Sequence, residues 1–540
     1  ATDTNAALQN DFINYFYEFF SLEDQNELIF AAAITTISVI LIGGTFSIIS
    51  VLALSKFATS SGVILGNKLL EGYIYLSWQE LTKRTDSKII NEIYQESSRV
   101  TQNILVPFLM LNKNLILTIF IIIGLTIVDP IMTIIFFLFL CGTYIVIYLF
   151  FRAQLYNNSE KLTSAHEKRL SFLSDIFKLF KQIKIWNIEK TFLTGFNEAS
   201  NLWGRIYKQN LNIALLPRYF VEVIILVGCC IGILTVFTQG NGIENTIPKI
   251  SIFAFSAFKL LPAIQGMYYS TSQIRGNIFS LSSIIKTINS FNKKYTKSDE
   301  IEQIKKIELQ DISFSYKKSN FSLRNINLTV SNNTLIGITG TSGSGKSTFI
   351  NILLGLLKQD NGMIKINGVE KTLFENNAWF KKISYAPPNV FFTSDSLESN
   401  IYLYKSSSKV FEELSSFSNL DFLSAANLNE GFSADDFSEG QMQRIGLARA
   451  FAKEDSNILI FDEPTSSLDV LNRNLILKNL MKLANEKIIF VITHDLEILR
   501  ECNQILIFNN GKLEIFSDYG DASMNSIDLK NLIDAKNKED

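Results

Sequence analysis

A charge-free run extends from Leu28 to Leu54. A helix needs about 20 consecutive apolar residues to cross the hydrocarbon core of a bilayer, so this run is long enough to span a membrane. The composition agrees, because charged residues make up only 19% of the chain and the mean hydropathy is +0.18. The apolar blocks lie within residues 28–267, whereas residues 290–540 have the composition of a soluble domain. The sequence therefore predicts a membrane part followed by a soluble part.

Five apolar stretches are candidates for membrane-spanning helices: about residues 28–54, 104–128, 131–151, 219–238 and 250–267. Asp129-Pro130 separates the second stretch from the third and predicts a tight turn between antiparallel spans. The connections 55–103 and 152–218 are polar and mostly show apolar residues at helical spacing. We therefore expect the spanning helices to continue into the cytoplasm, where tips near 78–92 and 186–198 would touch the soluble part.

The distribution of basic residues predicts the orientation. The first 55 residues contain no Lys or Arg but six acidic residues, whereas the connections 55–103 and 152–218 are rich in Lys and Arg. Basic loops are kept on the cytoplasmic side, so the N-terminus should lie outside and residue 290 inside. No signal for exporting that N-terminus is evident. We infer that the sequence begins after the first span of a six-helix parent; a genuine five-span protein is the alternative.

Residues 7–22 predict a separate amphipathic helix. Phe12, Tyr15, Phe16, Phe19 and Phe20 recur at helical spacing and form one apolar face. On the outer side this extracytoplasmic segment, within residues 1–27, would lie in the lipid headgroup zone or pack against neighbouring spans.

Two function classes are disfavoured by composition. The net charge of −2 gives no indication of a nucleic-acid partner. The four cysteines lack the spacing of a zinc site or a redox pair, so we interpret them as packing thiols: Cys141, Cys229, Cys230 and Cys502.

Residues 335–348 place the pattern GxxxxGK[ST] between an apolar strand and an apolar helix. This is a Walker A loop, whose backbone N–H groups bind nucleotide phosphates. Lys346 would reach the β- and γ-phosphates, and Ser347 would hold Mg²⁺. The predicted ATP-binding residues of the loop are Gly340, Thr341, Ser342, Gly343, Ser344, Gly345, Lys346, Ser347 and Thr348.

Two further strands end in polar residues. The run Ile458–Phe461 leads into Asp462-Glu463, and Ile488–Ile492 leads into Thr493-His494. Ligands gather at the carboxyl ends of parallel strands. We predict that Asp462 binds Mg²⁺ through water, that Glu463 activates the attacking water as general base, and that His494 senses the γ-phosphate.

Residues 437–444, with the sequence FSEGQMQR, resemble the signature motif of the ABC ATPase family. The resemblance covers residues 307–515 and implies a head-to-tail dimer of ATPase domains with two ATP molecules between them. It implies that the signature residues contact ATP on the opposite subunit, that Asp469 belongs to the D-loop, and that Tyr316 stacks on adenine. The signature residues are Ser438, Glu439, Gly440 and Gln441.

Three features depart from the family pattern: Pro388, Glu439, and a region between Asn400 and Phe437 that is shorter than usual, with Phe432 where the family has an acid. Pro388 occupies the place of the Q-loop glutamine, and its side chain can neither ligate Mg²⁺ nor hydrogen-bond water. This departure puts the usual coupling between hydrolysis and the membrane helices in doubt. Glu439 replaces the first glycine of the signature pair, and we expect that replacement to be tolerated.

The membrane half resembles the six-helix exporter type of ABC transporter. Within it, the segments LPRYFVEV from Leu216 and AFKLLPAIQ from Ala257, followed by Tyr268, resemble bacterial flippases for lipid-linked oligosaccharides. Arg218, Lys259 and Arg275 are candidates for binding a diphosphate, since burying that group without cations is costly. Snorkelling of these cations to lipid headgroups is the alternative.

These inferences predict an α-helical transmembrane domain of the ABC exporter type, residues 28–290, followed by a linker, 291–306, and an α/β P-loop nucleotide-binding domain, 307–540. ATP and Mg²⁺ are the expected cofactors. The expected partner is a second half-transporter, and a homodimer is favoured over a heterodimer. The expected location is the bacterial inner membrane with a cytoplasmic ATPase domain. Two alternatives stay open: an exporter of peptides, drugs or glycolipids, and a subunit that binds ATP without pumping.

Overall fold

The computed structural model describes most of the chain in two compact units. The described residues are 25–239, 243–291, 300–316, 322–403, 409–424, 428, 431, 433, 436–530 and 533–534, with backbone only at 25, 28, 136, 225, 228–239 and 243–250. The first unit comprises the described residues up to Leu76 and from Thr82 to Phe291. The second comprises Ser77–Leu81 and the described residues from Glu300 onwards.

The first unit is entirely helical in its described part. Its long helices are α1 (Gln25–Ile74), α5 (Val106–Val128), α6 (Pro130–Lys178), α8 (Glu189–Gln239) and α9 (Ile243–Ser290). Shorter segments are α3 (Asp86–Ile90), α4 (Ser97–Val100), α7 (Phe180–Trp186) and two π-helical turns, Asn91–Glu96 and Thr101–Leu105. The tip between α1 and α3 carries α2 (Trp78–Leu81), which belongs to the second unit.

Three helical stretches of the described chain are long and apolar enough to cross a membrane: Ile29–Ile74, Asp86–Val128 and Pro130–Lys178. They contain the first three predicted apolar stretches, and the remaining two lie within α8 and α9. The turn predicted at Asp129-Pro130 is confirmed. The Asp129 side chain accepts from the Met132 N–H at 3.2 Å, and Pro130 occupies the first helical turn, where no N–H is required.

A buried polar seam joins helices of the first unit that are far apart in sequence. The Arg99 guanidinium, 6% exposed, forms an ion pair with Glu96 at 2.9 Å and also donates to Thr163 on α6 and Asn277 on α9. Glu92, 2% exposed, accepts from Thr287 on α9 at 2.9 Å and from the Tyr73 hydroxyl. Glu92 and Glu96 lie on the first π-helical turn, and Arg99 lies between the two turns.

Pro217 interrupts the hydrogen-bond ladder of α8, because proline has no N–H to donate to the carbonyl four residues earlier. That carbonyl belongs to Ile213. The Tyr268 hydroxyl on α9 donates to it at 2.8 Å and replaces the missing donor. A hydrogen bond from α9 therefore reaches α8 at the backbone group that the proline leaves free.

The second unit contains two sheets and the remaining helices. Its strands are β1 (Lys306–Ser315), β2 (Ser322–Ser331), β3 (Thr334–Gly340), β4 (Asn361–Ile366), β5 (Val369–Glu370), β6 (Ile383–Ala386), β7 (Ile458–Asp462), β8 (Ile488–Ile492), β9 (Gln504–Asn509) and β10 (Lys512–Phe516). Its helices are α10 (Lys346–Leu353), α11 (Asn377–Lys382), α12 (Leu397–Tyr402), α13 (Phe411–Ser418), α14 (Glu439–Ala452), α15 (Val470–Ala484), α16 (Leu496–Arg500) and α17 (Tyr519–Asn525).

The larger sheet has the strand order β10-β9-β3-β8-β7-β6 and is parallel except for β10. Its central strands are apolar throughout, as β8 shows with five buried residues, because both faces are covered. Phe349, Phe490 and Phe508 belong to the cluster on one face, and Phe461 and Val491 to the cluster on the other. The smaller sheet, β2-β1-β4-β5, is antiparallel.

Candidate nucleotide site

The Walker A loop connects β3 to α10. Gly340, Gly343 and Gly345 all have positive φ, at 136°, 77° and 117°. A Cβ added at Gly340 would lie 2.2 Å from the Phe508 carbonyl oxygen, so only glycine fits there. Helix α10 begins with no side-chain cap, which leaves its first N–H groups free for an anion.

Three observations fit this loop to a nucleotide phosphate. A Cβ at Gly343 would meet nothing within 4 Å, so the loop borders open space. The buried Ser344 hydroxyl has no hydrogen-bond partner among the described residues. The Lys346 ammonium donates to the carbonyl oxygens of Gly340 and Thr341, the latter at 2.9 Å, and so folds back over its own loop. Ser342, Ser347 and the buried Thr348 complete the predicted set on this loop and helix.

Asp462 ends β7, and Glu463 follows it with an unusual backbone conformation. Glu463 has φ of 52°, a left-handed value that is uncommon for a residue other than glycine. Its N–H donates to the Ile492 carbonyl at 2.9 Å, which extends the contact between β7 and β8. His494 follows β8, and the Thr493 N–H donates to Ile338 on β3 at 3.0 Å. The three strands therefore end at one edge of the sheet.

Electrostatic coupling connects these residues. Partial burial lowers the pKa of Lys346, and the Glu463 and Asp462 carboxylates oppose that shift. Burial also lowers the pKa of His494; the Lys346 ammonium lowers it further, whereas Glu463 opposes the shift. Burial raises the pKa of Asp462, and the Tyr385 hydroxyl and Lys346 oppose it. Lys346, Asp462, Glu463 and His494 thus form one electrostatic cluster.

No group of three or more His, Cys, Asp or Glu side chains suited to a metal occurs in the described part of the chain. Mg²⁺ does not require one, because it is usually held by one or two protein oxygens together with substrate phosphates and water. The Ser347 hydroxyl and the Asp462 carboxylate are hard oxygen donors of that kind. The donor set therefore fits Mg²⁺.

Tyr316, the predicted adenine-stacking residue, lies beside the Walker A helix. Its hydroxyl is 3.3 Å from the Thr348 hydroxyl, and its ring packs edge-on against Phe314 with 4.9 Å between ring centroids. Tyr316 is 40% exposed.

The signature residues form the start of α14. Ser438 is the N-cap, and its hydroxyl accepts from the Gln441 N–H at 3.3 Å. The Gln441 side chain accepts from the Ser438 N–H at 2.9 Å, which completes a capping box. This arrangement explains why a serine and a glutamine stand three residues apart.

The two central signature positions, Glu439 and Gly440, are constrained in different ways. A Cβ at Gly440 would lie 2.7 Å from the Ser467 carbonyl oxygen, so this residue must remain glycine. Glu439 begins the helix, where a negative charge interacts favourably with the helix dipole. The structure thus gives a reason why the second glycine is present while the first is replaced. Asp469, which the resemblance assigned to the D-loop, is the N-cap of α15 and accepts from the Asn472 N–H at 2.8 Å.

Gln443 is a site residue that the sequence analysis missed. Its amide nitrogen donates to the Glu463 carbonyl at 2.6 Å and to the Ser466 hydroxyl at 3.2 Å, and its amide oxygen accepts from the Ser467 N–H at 3.1 Å. The side chain is 6% exposed. Gln443 therefore ties the signature helix to the backbone of the predicted general base. Its position two residues after Gln441 was the only available signal.

The structure separates two of the three candidate substrate residues, Lys259 and Arg275. Lys259 and Arg275 both lie on α9, and their spacing corresponds to about 24 Å along the helix axis. One diphosphate cannot contact both. Arg218 on α8 lies 3.8 Å from Glu222, and Arg275 lies over the Tyr156 ring at 4.8 Å. Lys259 is exposed.

The remaining predicted features are Pro388, the segments 7–22 and 291–306, and the four cysteines. Pro388 lies in an exposed bend after β6. The amphipathic helix predicted at 7–22 and residues 292–299 of the linker predicted at 291–306 lie outside the described residues, and so do the side chains of Cys229 and Cys230. Cys141 and Cys502 are free thiols, partly and fully buried, and burial raises the pKa of Cys502 to about 12. The latter fits a packing role.

Comparisons with known proteins agree with this geometry. Residues 323–466 match the family model described as ABC transporter. The chain is 26% identical over 358 residues to a probable ABC transporter ATP-binding/permease protein of Haemophilus influenzae, covering 63% of each protein. It is 30% identical over 365 residues to the nisin transport ATP-binding protein NisT of Lactococcus lactis, covering 62% of this chain and 58% of that protein. The matches thus span less than two thirds of these relatives.

The fold itself has a close structural counterpart. A solved bacterial Atm1-family ABC exporter with ATP bound superposes with a TM-score of 0.80, covering 94% of this chain and 90% of that one at 16% sequence identity. Similarity at that identity concerns the fold alone. Residues 323–466 thus match the ABC transporter family, and the fold of the chain is that of ABC exporters.

Proposed function

We propose that the chain is one half of an ATP-driven exporter of a bacterial inner membrane, and that its cargo is a lipid-linked oligosaccharide. One observation supports the ATP-driven part most strongly. Lys346, Asp462, Glu463 and His494 interact at one edge of a parallel sheet, in a polypeptide that also carries helices long enough to span a membrane. The basic connections 55–103 and 152–218 support a cytoplasmic ATPase domain.

In the proposed reaction the loop N–H groups and Lys346 bind the ATP phosphates. Glu463 accepts a proton from the attacking water, and His494 contacts the γ-phosphate. Mg²⁺, held by Ser347 and Asp462, would supply positive charge to the phosphates. The family resemblance implies that Ser438 and Gly440 of a second subunit complete each site, so we propose a dimer, with two copies of this chain as the first arrangement to test.

Lys259 and Arg218 support a substrate that carries phosphate. Lys259 lies inside a predicted apolar span, where an ionisable residue is by default a functional candidate, and Arg218 lies near the end of another span. The separation along α9 leaves Arg275 out of the same contact. The resemblance around Pro217 and Tyr268 directs the choice towards a lipid-linked oligosaccharide.

The proposal is tested by reconstituting the full chain in proteoliposomes with a fluorescent undecaprenyl-diphosphate oligosaccharide. We expect ATP- and Mg²⁺-dependent movement of the probe between leaflets, and none with Glu463→Gln. Hydrolysis without movement of this probe, but with movement of a peptide or glycolipid, would contradict the cargo and keep the exporter. Nucleotide binding without turnover would instead support a regulatory subunit.

Lys259→Ala tests the substrate contact. We expect probe movement to fall by more than basal ATPase activity, since the ATP site does not include this residue. Lys286→Ala is the matched control, because this exposed lysine lies on the same helix beyond the predicted span. Equal loss of both activities in Lys259→Ala, or loss of neither, would contradict the assignment.

A further inference from the structure

Tyr385 contacts the Asp462 carboxylate from the neighbouring strand. Its hydroxyl donates to Asp462 Oδ2 at 3.2 Å. Strands β6 and β7 are parallel, and Tyr385 is opposite Ile460. Because side chains two residues apart on a strand share a face, Asp462 emerges on the same face as Tyr385, within reach of its long side chain. This contact comes from outside the Walker A and signature segments.

The surroundings of Asp462 increase the importance of this hydrogen bond for the orientation of its carboxylate. Lys346 directs its ammonium to the carbonyl oxygens of Gly340 and Thr341 rather than to Asp462. Pro388, three residues after Tyr385, carries no polar side-chain atom. The Tyr385 hydroxyl engages one carboxylate oxygen and leaves the other free for a metal or its water.

We propose that Tyr385 is a positioning residue that orients the Asp462 carboxylate for Mg²⁺ and replaces a polar contact that Pro388 does not supply. The inference rests on the proposed function, because it takes ATP with Mg²⁺ as the occupant of the site. Tyr385 acts through Asp462, as outer-shell partners of metal ligands do. Loss of such a partner typically weakens metal affinity or activity about 10–100-fold.

The test measures metal binding without turnover. The purified full chain is saturated with a non-hydrolysable ATP analogue, and Mn²⁺ binding is followed by electron paramagnetic resonance. We expect Tyr385→Phe to raise the Kd for Mn²⁺ about tenfold. Affinity for the analogue in EDTA should not change, since the loop is intact. A Kd for Mn²⁺ within about twofold of the unmodified chain overturns the proposal.

Tyr402→Phe is the matched control. Tyr402 lies on α12 of the same unit, and its hydroxyl donates to the Lys409 carbonyl at 3.1 Å. The substitution therefore removes an equivalent hydroxyl without altering Asp462. We expect no change in the Kd for Mn²⁺. An equal rise in both variants would indicate a general structural effect and overturn the assignment.

Pro388→Gln provides a second, independent arm. In the unmodified chain Tyr385 already orients Asp462, so the added amide should change the Kd for Mn²⁺ less than about twofold; in Tyr385→Phe it should recover most of the loss. If Tyr385→Phe does not retain nucleotide, the Pro388→Gln single variant decides, and an affinity gain of about tenfold overturns the proposal. Absence of transport in the unmodified chain would contradict the exporter and leave this binding result intact.

Discussion

In the second unit, the proposed ATPase unit, the polar residues of the site follow the ends of β3, β7 and β8. In the first unit, the helical unit, the buried polar contacts join residues far apart in the sequence. Lys346 and Asp462 belong to short local patterns that are visible in the sequence alone. Arg99 meets Thr163 and Asn277, and none of these residues belongs to a recognisable motif. The topology of a parallel sheet brings residues of short motifs together. In packed helices, tertiary packing determines which polar residues become partners.

Replacing the predicted general base should have the largest effect on the ATPase unit. We expect Glu463→Gln to lower the ATP turnover rate about 10²–10⁴-fold, because a positioned base contributes about that much to proton transfer. ATP binding should persist. The check is steady-state hydrolysis by the reconstituted chain, with Glu514→Gln on β10 as the control. A loss below about tenfold would contradict the role of Glu463.

The corresponding disruption in the helical unit removes a buried charge. Arg99→Ala leaves the Glu96 carboxylate buried without its ion-pair partner, which typically costs about 3–5 kcal/mol of stability. We expect a lower thermal unfolding midpoint in detergent. Lys184→Ala is the control, since its pair with Glu189 is largely exposed, and should leave the midpoint unchanged. Equal midpoints for the two variants would show that the buried seam adds no stability.

The signature glycine offers a smaller perturbation of the ATPase unit. Gly440→Ala places a Cβ against the Ser467 carbonyl oxygen, and overpacking of this kind costs about 1–3 kcal/mol. We expect both the unfolding midpoint and ATP turnover to fall. Glu439→Gly tests the neighbouring position and should leave both nearly unchanged. The assignment of the two positions would be reversed if Glu439→Gly were the more harmful variant.

The smallest effect is expected at the proline of α8. Tyr268→Phe removes the donor to the Ile213 carbonyl, and hydrogen bonds between membrane helices average about 0.6 kcal/mol. In a Pro217→Ala background an N–H from the helix itself can reach that carbonyl, so Tyr268→Phe should then have less effect. A double-mutant cycle of unfolding midpoints measures this coupling. Additive changes would show that Tyr268 does not compensate for Pro217.

Much of the fold was predictable because its determinants are local. The apolar runs, the Asp129-Pro130 break and the strand-loop-helix around Lys346 each specify their structure within a few residues. The predicted exporter fold is confirmed by the structural comparison. The Walker A, strand-end and signature residues were recognised from short patterns for the same reason.

The rest could not be predicted because it depends on tertiary packing. Gln443 bonds to the Glu463 backbone only once α14 lies beside β7, and Tyr385 reaches Asp462 only across paired strands. That Lys259 and Arg275 are too far apart for one ligand depends on the continuity of α9 through both residues. The π-helical turns next to Arg99 have no distinctive composition.

The capping box at Ser438 also prepares this residue to donate outwards. The Ser438 hydroxyl accepts the Gln441 N–H, and its own proton remains available for donation. An acceptor brought by a second subunit would meet a donor whose rotation is already restricted, and would lose little entropy in aligning it. The same four residues that begin a helix in one subunit would thereby favour tight assembly with the next.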